Sequence, residues 1–300
     1  MAEVGGLSET IAPFETDSEG GFRSIMSSFR LRAHKQREAV MKTGIIGGLG
    51  WIGGALGRRL LETGTVAPAD LTVISRRPPQ SDYYGHGAVH WAASAAELVE
   101  RSDIVVIAVR PQDWRALDLK AEGKLVVSMM AMVSVADLVS TKARVLRVMP
   151  NALAEQARSY SPWFAGPGVH DADKAALVRL LASIGTADEV QSEAHLDVMT
   201  VLPGSGPAYP ALMATAMLAF ARGQGLPEAI ARRAVEAAIC DGSSLLRGRI
   251  ETAAETVQTF RDYAGITAAG LDAAEAAGFS TAMQAALTAA LRACAVSDKA

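Results

Sequence analysis

A short aliphatic run that leads into a glycine-rich loop constrains the fold of this chain more than any other feature. Gly44–Ile46 has the composition of a buried strand, and Ile52–Glu62 has that of a helix. Between them, Gly48, Gly50 and Gly53 form the pattern G-x-G-x-x-G. The pattern alone is weak, but between a strand and a helix it predicts a dinucleotide-binding loop.

Each glycine of this loop has its own expected role. Gly48 permits a tight turn, Gly50 lets the backbone approach a pyrophosphate, and Gly53 lets the helix pack close to the strand. The free N–H groups at the start of the helix then attract the phosphates. The loop residues expected to contact the cofactor are Gly48, Leu49, Gly50, Trp51, Ile52 and Gly53.

The chain from residue 42 to residue 190 alternates aliphatic runs with helical stretches. The further runs are Leu71–Ile74, Ile104–Val109, Leu125–Ser128 and Val145–Val148, and the helical candidates between and after them are Ala95–Arg101, Val135–Ser140 and Ala172–Ile184. Continuous aliphatic strands that alternate with helices are typical of a parallel sheet covered on both faces. We therefore predict an α/β domain with a doubly wound parallel sheet over residues 42–190.

The strand pattern disappears from about residue 191 onward. The remaining sequence consists of alanine-rich helical stretches, namely Glu193–Leu202, Ala208–Gly223, Pro227–Arg247, Ala253–Asp262 and Thr267–Ala276. The segment Ala211–Phe220 is apolar on every side, so its helix must be enclosed in a bundle core or at a subunit interface. We predict an all-helical domain over residues 191–300 and favour an intertwined dimer, with a monomeric bundle as the alternative.

The overall composition excludes several other classes of protein. The net charge is −3, so no general attraction to nucleic acid or to an anionic membrane is expected. Two cysteines, Cys240 and Cys294, exclude a disulfide scaffold and a cysteine-rich metal site. The first twenty residues carry five acidic side chains and no Lys or Arg, unlike a secretory signal, so we expect a cytoplasmic protein.

Residues 1–41 lack the pattern of the rest of the chain. Their first half is acidic and contains glycine, whereas their second half is basic. We interpret this extension as disordered or as the result of a start codon assigned too early.

The end of the second predicted strand discriminates between two cofactors. Enzymes that use NAD usually place an acidic residue there to bind the ribose 2′-hydroxyl. This chain has Ser75, Arg76 and Arg77 instead. Because guanidinium groups bind phosphate with two hydrogen bonds, we predict NADP(H), with these three residues around its 2′-phosphate. The alternative is a pair of solvated surface arginines.

Residues that follow other strands are expected at the same edge of the sheet. Ligands of open α/β sheets lie outside the carboxyl ends of the strands. Arg110 and Pro111 follow the run that begins at Ile104, and they are therefore predicted near the cofactor. Three residues after the next run lie on the same edge: Met129, Met130 and Ala131.

Several motifs in register resemble those of the pyrroline-5-carboxylate reductases. The most specific is Gly204–Tyr209 (GSGPAY), followed by a long apolar helix and then by Gly225-Leu226-Pro227. The order and spacing also hold for Val109–Gln112, Arg147–Asn151 and Gly265–Thr267. The resemblance implies a Rossmann domain, a helical dimerisation domain, a homodimer or a larger assembly of dimers, and NAD(P)H-dependent reduction of a cyclic imine to L-proline.

The resemblance also implies roles for individual residues. It adds Ala108 and Val109 to the cofactor contacts. It places Gly265 and Ile266 against the substrate, with Glu193 nearby, in a loop expected to come from the partner subunit. Thr267, the expected catalytic residue, would hydrogen-bond the ring nitrogen; its alternative role is that of an ordinary helix N-cap.

Departures from the family pattern leave two other functions open. The loop Asp262–Thr267 keeps only one glycine and one threonine of the pattern Ser-Pro-Gly-Gly-Thr-Thr. A related imine reductase with a different cyclic imino acid substrate is one alternative, and a non-catalytic NADP-binding dimer is the other. Trp51 and Trp163 are the positions at which we expect altered specificity.

Two dehydrogenase classes that share this plan are less favoured. A β-hydroxyacid dehydrogenase needs a catalytic lysine in the helical domain, and no Lys lies between residues 175 and 298. A prephenate dehydrogenase, which the glycine loop resembles, needs a histidine near the cofactor. None of the five histidines directly follows the strand at residues 104–109.

Overall fold

Seven strands form the central sheet of the computed structural model, which describes residues 41–296. The strands in chain order are β1 (Thr43–Ile46), β2 (Leu71–Ile74), β3 (His90–Trp91), β4 (Ile104–Ile107), β5 (Leu125–Ser128), β6 (Arg144–Val148) and β8 (Trp163–Ala165). Their order across the sheet is β3-β2-β1-β4-β5-β6-β8. Every neighbouring pair is parallel except β6 and β8. Residues 1–40 lie outside the part of the chain that the structure describes. The interpretation of the N-terminal extension therefore stays a prediction.

Both faces of the central strands are covered, which explains their unbroken aliphatic sequences. Successive side chains of a strand point to opposite faces. Ile45 accordingly packs into one hydrophobic core and Ile46 into another. In β4, Val106 belongs to the first core and Ile107 to the second. A strand that is buried on both faces does not show the alternation of polar and apolar residues found in a strand with one exposed face.

Helices supply the two layers that cover the sheet. The α-helices of this region are α1 (Trp51–Glu62), α2 (Ala95–Glu100), α3 (Pro111–Trp114) and α4 (Asp171–Ala182). Leu56 of α1 and Leu177 of α4 are fully buried in the first core. Leu98 of α2 and Trp114 of α3 are buried in the second.

The strand order reverses at β1, and this reversal places the ligand crevice. β1 pairs with β2 on one side and with β4 on the other, so Ile46 lies beside both Ile74 and Ile107. β2 and β4 therefore lie on opposite sides of β1, and the chain segments that follow these two strands diverge. In open α/β sheets such a switch point leaves a crevice outside the carboxyl ends of the strands.

The chain after β7 (Ser159–Tyr160) and β9 (Gly185–Thr186), which pair with each other, is helical. It contains α5 (Glu193–Met199), α6 (Ala208–Gly223), α7 (Glu228–Glu236), α8 (Ala253–Asp262), α9 (Ile266–Ala276) and α10 (Phe279–Val296). The apolar α6 is not enclosed within the single chain, since Leu212 is 71% exposed and Phe220 is 69% exposed. One chain therefore does not form the bundle around this helix that the monomeric alternative requires.

The structure confirms the predicted α/β fold class and the five predicted strands. The helical stretch predicted over Pro227–Arg247 is confirmed, although only Glu228–Glu236 is α-helical; a π-helical segment, Ala237–Asp241, and a 3-10 segment, Gly242–Leu246, follow without a break. The short strands β3, β7, β8 and β9 were not predicted. The domain boundary near residue 190 stays a prediction. Within residues 41–296, no helix combines the length and the apolar character needed to cross a membrane.

Candidate functional site

A cavity of about 760 Å³ lies at the carboxyl ends of β1, β2 and β4. The glycine loop, the segment after β2 and the segment after β4 form its walls. Its lining consists of Ile46, Gly47, Leu49, Gly50, Trp51, Ile52, Ile74, Ser75, Arg76, Arg77, Ala95, Ala108, Val109, Arg110, Gln112, Asp113, Ala116, Leu117 and Met129. The cavity therefore lies where the sheet topology predicts a ligand.

The tight turn of the loop contains both Gly47 and Gly48, because the Gly50 N–H closes it on the Gly47 carbonyl oxygen. Gly47 has a φ of +93°, a left-handed conformation that favours glycine. A Cβ at Gly47 would overlap the carbonyl oxygen of Ala108. Gly48 also allows close packing, because a Cβ there would lie 3.0 Å from the Cβ of Val73.

The remaining glycines bring the start of α1 close to the sheet. Gly50 precedes the first residue of the helix and donates its N–H to the Gly47 carbonyl oxygen over 2.7 Å. A Cβ at Gly53 would lie only 2.5 Å from the same oxygen, which confirms the close packing predicted at this position. The first turn contains no acidic residue, and no side chain caps its N–H groups. This arrangement fits an anionic ligand.

The predicted 2′-phosphate residues lie together at the end of β2. Ser75, Arg76 and Arg77 all line the cavity. The backbone N–H of Arg77 donates to the hydroxyl of Ser75 over 3.3 Å, which shapes the turn after the strand. The Arg76 side chain is 75% exposed, and its guanidinium faces the segment after β4.

Asp113 links two of the arginines across the mouth of the cavity. Its carboxylate accepts hydrogen bonds from Arg110 over 3.0 Å and from Arg76 over 3.3 Å. The hydrogen bond from Arg110, together with the charges of both arginines, holds the pKa of Asp113 below its usual value. Arg110 itself precedes α3, which begins with Pro111, a residue well suited to the first helical position.

The charges of the cavity wall fit a phosphorylated dinucleotide. Three arginines line the cavity, namely Arg76, Arg77 and Arg110. Among the described lining residues, Asp113 is the single acidic one, so the wall carries an excess of positive charge. The uncapped start of α1 and this arginine cluster lie on the same cavity, as a pyrophosphate and a 2′-phosphate of one ligand require.

Some predicted cofactor residues lie beside the cavity rather than in its lining. These are Gly48, Gly53, Pro111, Met130 and Ala131. Met130 is 1% exposed and belongs to the second core. Trp51 lines the cavity, whereas Trp163 is buried in the first core and does not line it; an effect of either on specificity stays a prediction.

The predicted substrate residues of the helical region do not line this cavity within one chain. Gly265 directly precedes α9, and Ile266 and Thr267 are its first two residues. Ile266 is 94% exposed. The preceding Ala264 has a φ of +47°, so the chain turns sharply before the helix.

Glu193, predicted near the substrate, is held by the sheet. Its Oε1 accepts a hydrogen bond from Arg147 of β6 over 2.6 Å and another from the backbone N–H of Val135 over 2.7 Å. The side chain of Arg147 is only 3% exposed. Glu193 therefore joins the helical region to the carboxyl end of β6.

Two residues of the site, Gly47 and Asp113, are not predicted as site residues from the sequence. Gly47 follows β1 directly, and its place in the doublet Gly47-Gly48 is the signal that a turn begins one residue earlier. Asp113 stands three residues after Arg110 at the start of a helix, a spacing at which opposite charges interact. Both signals are local and were readable in advance.

Comparisons with known proteins agree with this geometry. Residues 193–296 match the family model for pyrroline-5-carboxylate reductase dimerisation, and residues 42–132 match that for NADP oxidoreductase, coenzyme F420-dependent. A pyrroline-5-carboxylate reductase of Synechocystis sp. is 30% identical over 84% of this chain and 96% of its own length. The enzyme of the same name from Thermus thermophilus is 31% identical over 82% of this chain and 94% of its own length.

The chain belongs to the pyrroline-5-carboxylate reductase family. A solved structure agrees with the fold: the Plasmodium falciparum pyrroline carboxylate reductase, with NADP bound, superposes with a TM-score of 0.71 at 22% identity. That alignment covers 86% of this chain and 98% of the other.

Membership of the pyrroline-5-carboxylate reductase family confirms the predicted family and fold class. The predicted enzyme class, an NAD(P)H-dependent oxidoreductase acting on CH–NH bonds, and the predicted cofactor, NADP(H), are confirmed at the level of the family. The helical region carries the dimerisation domain of this reductase family.

Proposed function

We propose that this protein reduces a cyclic imine with NADPH, and that the substrate is 1-pyrroline-5-carboxylate, which becomes L-proline. The observation that carries this proposal is the arginine-lined cavity at the switch point of the sheet, in a chain of this reductase family. The glycine loop and the arginines account for the cofactor, and the family accounts for the substrate class.

Different residues around the cavity bind different parts of the cofactor. The start of α1, at Trp51 and Ile52, holds the pyrophosphate with its unbonded N–H groups. Ser75, Arg76 and Arg77 hold the 2′-phosphate. When bound, NADPH supplies the hydride that the reaction consumes.

The substrate's C=N carbon gains a hydride, and its ring nitrogen keeps one proton taken from solvent. The C=N double bond becomes a single bond, and a neutral secondary amine results before any further protonation. A cyclic imine that arrives protonated needs no strong general acid. Thr267 hydrogen-bonds the ring nitrogen, and the backbone N–H groups of Gly265, Ile266 and Thr267 hold the substrate carboxylate at the start of α9. The protein's contribution is then orientation and exclusion of water.

A second copy of the chain completes the site in this proposal. Ile266 and Tyr263 are 94% and 89% exposed, and none of the cavity lining comes from their loop. The apolar side chains of α6 are exposed along the same helical region. We propose a homodimer in which helices of both copies enclose α6 and the loop of one copy reaches the cavity of the other. We also propose that the domain boundary lies near residue 190.

The test is a panel of five- and six-membered cyclic imino acids, assayed by NADPH consumption. The expected result is fastest turnover with 1-pyrroline-5-carboxylate and formation of L-proline in equal amount to the NADP⁺ released. Faster turnover of a six-membered imine would identify a related imino acid as the substrate. That result would agree with the altered loop Asp262–Thr267. Binding of NADPH without turnover of any imine would contradict the proposal of an enzyme.

A further inference from the structure

Tyr83 lies beneath the glycine loop and is completely buried. It belongs to the segment between β2 and β3. Its hydroxyl donates a hydrogen bond to the backbone carbonyl oxygen of Gly48 over 2.7 Å. The N–H of Gly48 donates to the carbonyl oxygen of Ile74 over 3.1 Å. Gly48 is therefore held from two directions, by the end of β2 through its N–H and by Tyr83 through its carbonyl.

Helix α1 provides the space that this tyrosine needs. A Cβ at Gly57 would overlap the hydroxyl of Tyr83. A Cβ at Gly54 would lie 2.7 Å from the hydroxyl of the neighbouring Tyr84. Glycine is unfavourable inside a helix, so two glycines facing two tyrosines indicate that the close approach is specific. The ring of Trp91 contacts Tyr83 edge-on, with ring centroids 5.6 Å apart, and fixes its orientation.

The hydroxyl of Tyr83 is a permanent donor. Burial, together with the neighbouring Tyr84, raises its pKa above the usual value of a tyrosine. It therefore keeps its proton over the range in which enzymes work. Tyr83 is not among the residues that line the cavity. Its single described hydrogen bond goes to the loop whose N–H groups face the cavity.

We propose that Tyr83 is a positioning residue for the dinucleotide, holding the Gly48 carbonyl so that the glycine loop keeps the conformation that receives the pyrophosphate. This inference rests on the proposed NADPH-dependent function. It assigns a role in cofactor affinity to a segment that carries no recognisable binding motif.

The test compares two tyrosines that are adjacent in the chain. Tyr83→Phe removes only the hydrogen bond to Gly48. Tyr84→Phe is the matched control, because Tyr84 is 46% exposed and its hydroxyl has no hydrogen-bond partner among the described residues. Both variants and the wild-type protein are titrated with NADP⁺ and with 2′-AMP, which reaches the arginine cluster but has no pyrophosphate. Thermal unfolding of each variant is measured in parallel.

We expect Tyr83→Phe to weaken NADP⁺ binding roughly tenfold and to leave 2′-AMP binding unchanged. Tyr84→Phe is expected to bind both nucleotides as the wild type does. Unchanged NADP⁺ affinity in Tyr83→Phe would overturn the inference, and so would an equal loss for both nucleotides, which a merely structural role predicts. A wild-type protein that binds neither nucleotide would overturn the proposed function itself, and the inference with it.

Discussion

The buried guanidinium of Arg147 donates from Nη1 to Oε1 of Glu193 over 2.6 Å and thereby joins the sheet to the first helix of the helical region. The Arg147 side chain is 3% exposed, and a carboxylate oxygen of Asp197 lies 3.7 Å from its Nη2. A buried charge without a partner is strongly unfavourable. The contact is therefore expected to stabilise the fold and the position of the first helix of the helical region.

Replacement of Glu193 by alanine is predicted to lower the free energy of unfolding by about 2 kcal/mol. The value lies below that of a fully buried pair, because the Glu193 side chain is 30% exposed and Asp197 remains near Arg147. Urea denaturation measures the change. Glu189→Ala is the control, since its ion pair with Lys174 is also 2.6 Å long but more exposed, and a change under about 1 kcal/mol is expected. Equal changes in the two variants would contradict the prediction.

Replacement of Arg77 by alanine is predicted to raise the KM for NADPH about tenfold or more and to leave the KM for NADH unchanged. Arg77 meets only the 2′-phosphate in the proposed arrangement, and NADH lacks that group. Arg76→Ala is expected to act in the same direction. Initial rates with the two cofactors measure the effect, and NADH is the internal control. An equal loss with both cofactors would show that the arginines do not select the 2′-phosphate.

Replacement of Gly53 by alanine is predicted to destabilise the protein by about 1–3 kcal/mol and to weaken NADPH binding. The new Cβ would lie 2.5 Å from the backbone oxygen of Gly47, and a backbone atom there cannot move without distorting the loop. Gly223→Ala is the control, because its Cβ would meet nothing within 4 Å. Thermal unfolding and nucleotide titration test both variants. Wild-type affinity in Gly53→Ala would contradict the proposed packing of helix and loop.

Replacement of Thr267 by alanine is predicted to lower kcat/KM for the imine about tenfold while the affinity for NADPH stays unchanged. The proposed hydrogen bond to the ring nitrogen is lost, whereas the cofactor cavity is not touched. Thr267→Ser should retain most of the activity, because it keeps the hydroxyl. Thr259→Ala on α8 is the control, since its hydroxyl already bonds the Glu255 carbonyl oxygen within the helix. Unchanged kcat/KM in Thr267→Ala would remove Thr267 from the mechanism; its alternative role as an N-cap is wrong, because Gly265 occupies that position.

Asp173 is predicted to contribute to the loss of stability in acid. Burial alone would raise its pKa, but hydrogen bonds from Arg144 over 2.7 Å and from the His170 N–H over 3.0 Å lower it overall. Because the unfolded chain then binds the proton more readily, this stabilisation is present above pH 5 and is lost as the pH falls through about 4 and below. Denaturation between pH 6 and pH 3 should show a shallower decline for Asp173→Asn than for the wild type. Parallel curves would contradict the prediction.

The long elements were predictable because their signals are local. β4 and β5 are continuous aliphatic runs, and a strand covered on both faces requires that composition. The short strands β7 and β9 were not predictable from the sequence. Each has two residues, too few to show the alternation of side chains that identifies a strand. They pair because the packing of the fold places Ser159 beside Gly185, which is distant from it in the sequence. The glycine loop lies between these cases: its existence was evident, but either glycine of the Gly47-Gly48 doublet is chemically able to make the turn.

The sequence by itself determined the doubly wound sheet, the cofactor loop and the arginines after β2, because each depends on residues that are adjacent or nearly adjacent in the chain. Only the tertiary structure decided which distant residues meet. Tyr83 bonds to Gly48 across 35 positions, and Arg147 bonds to Glu193 across 46. Such contacts depend on how helices and strands pack, and packing depends on the shape of the whole core rather than on any local pattern.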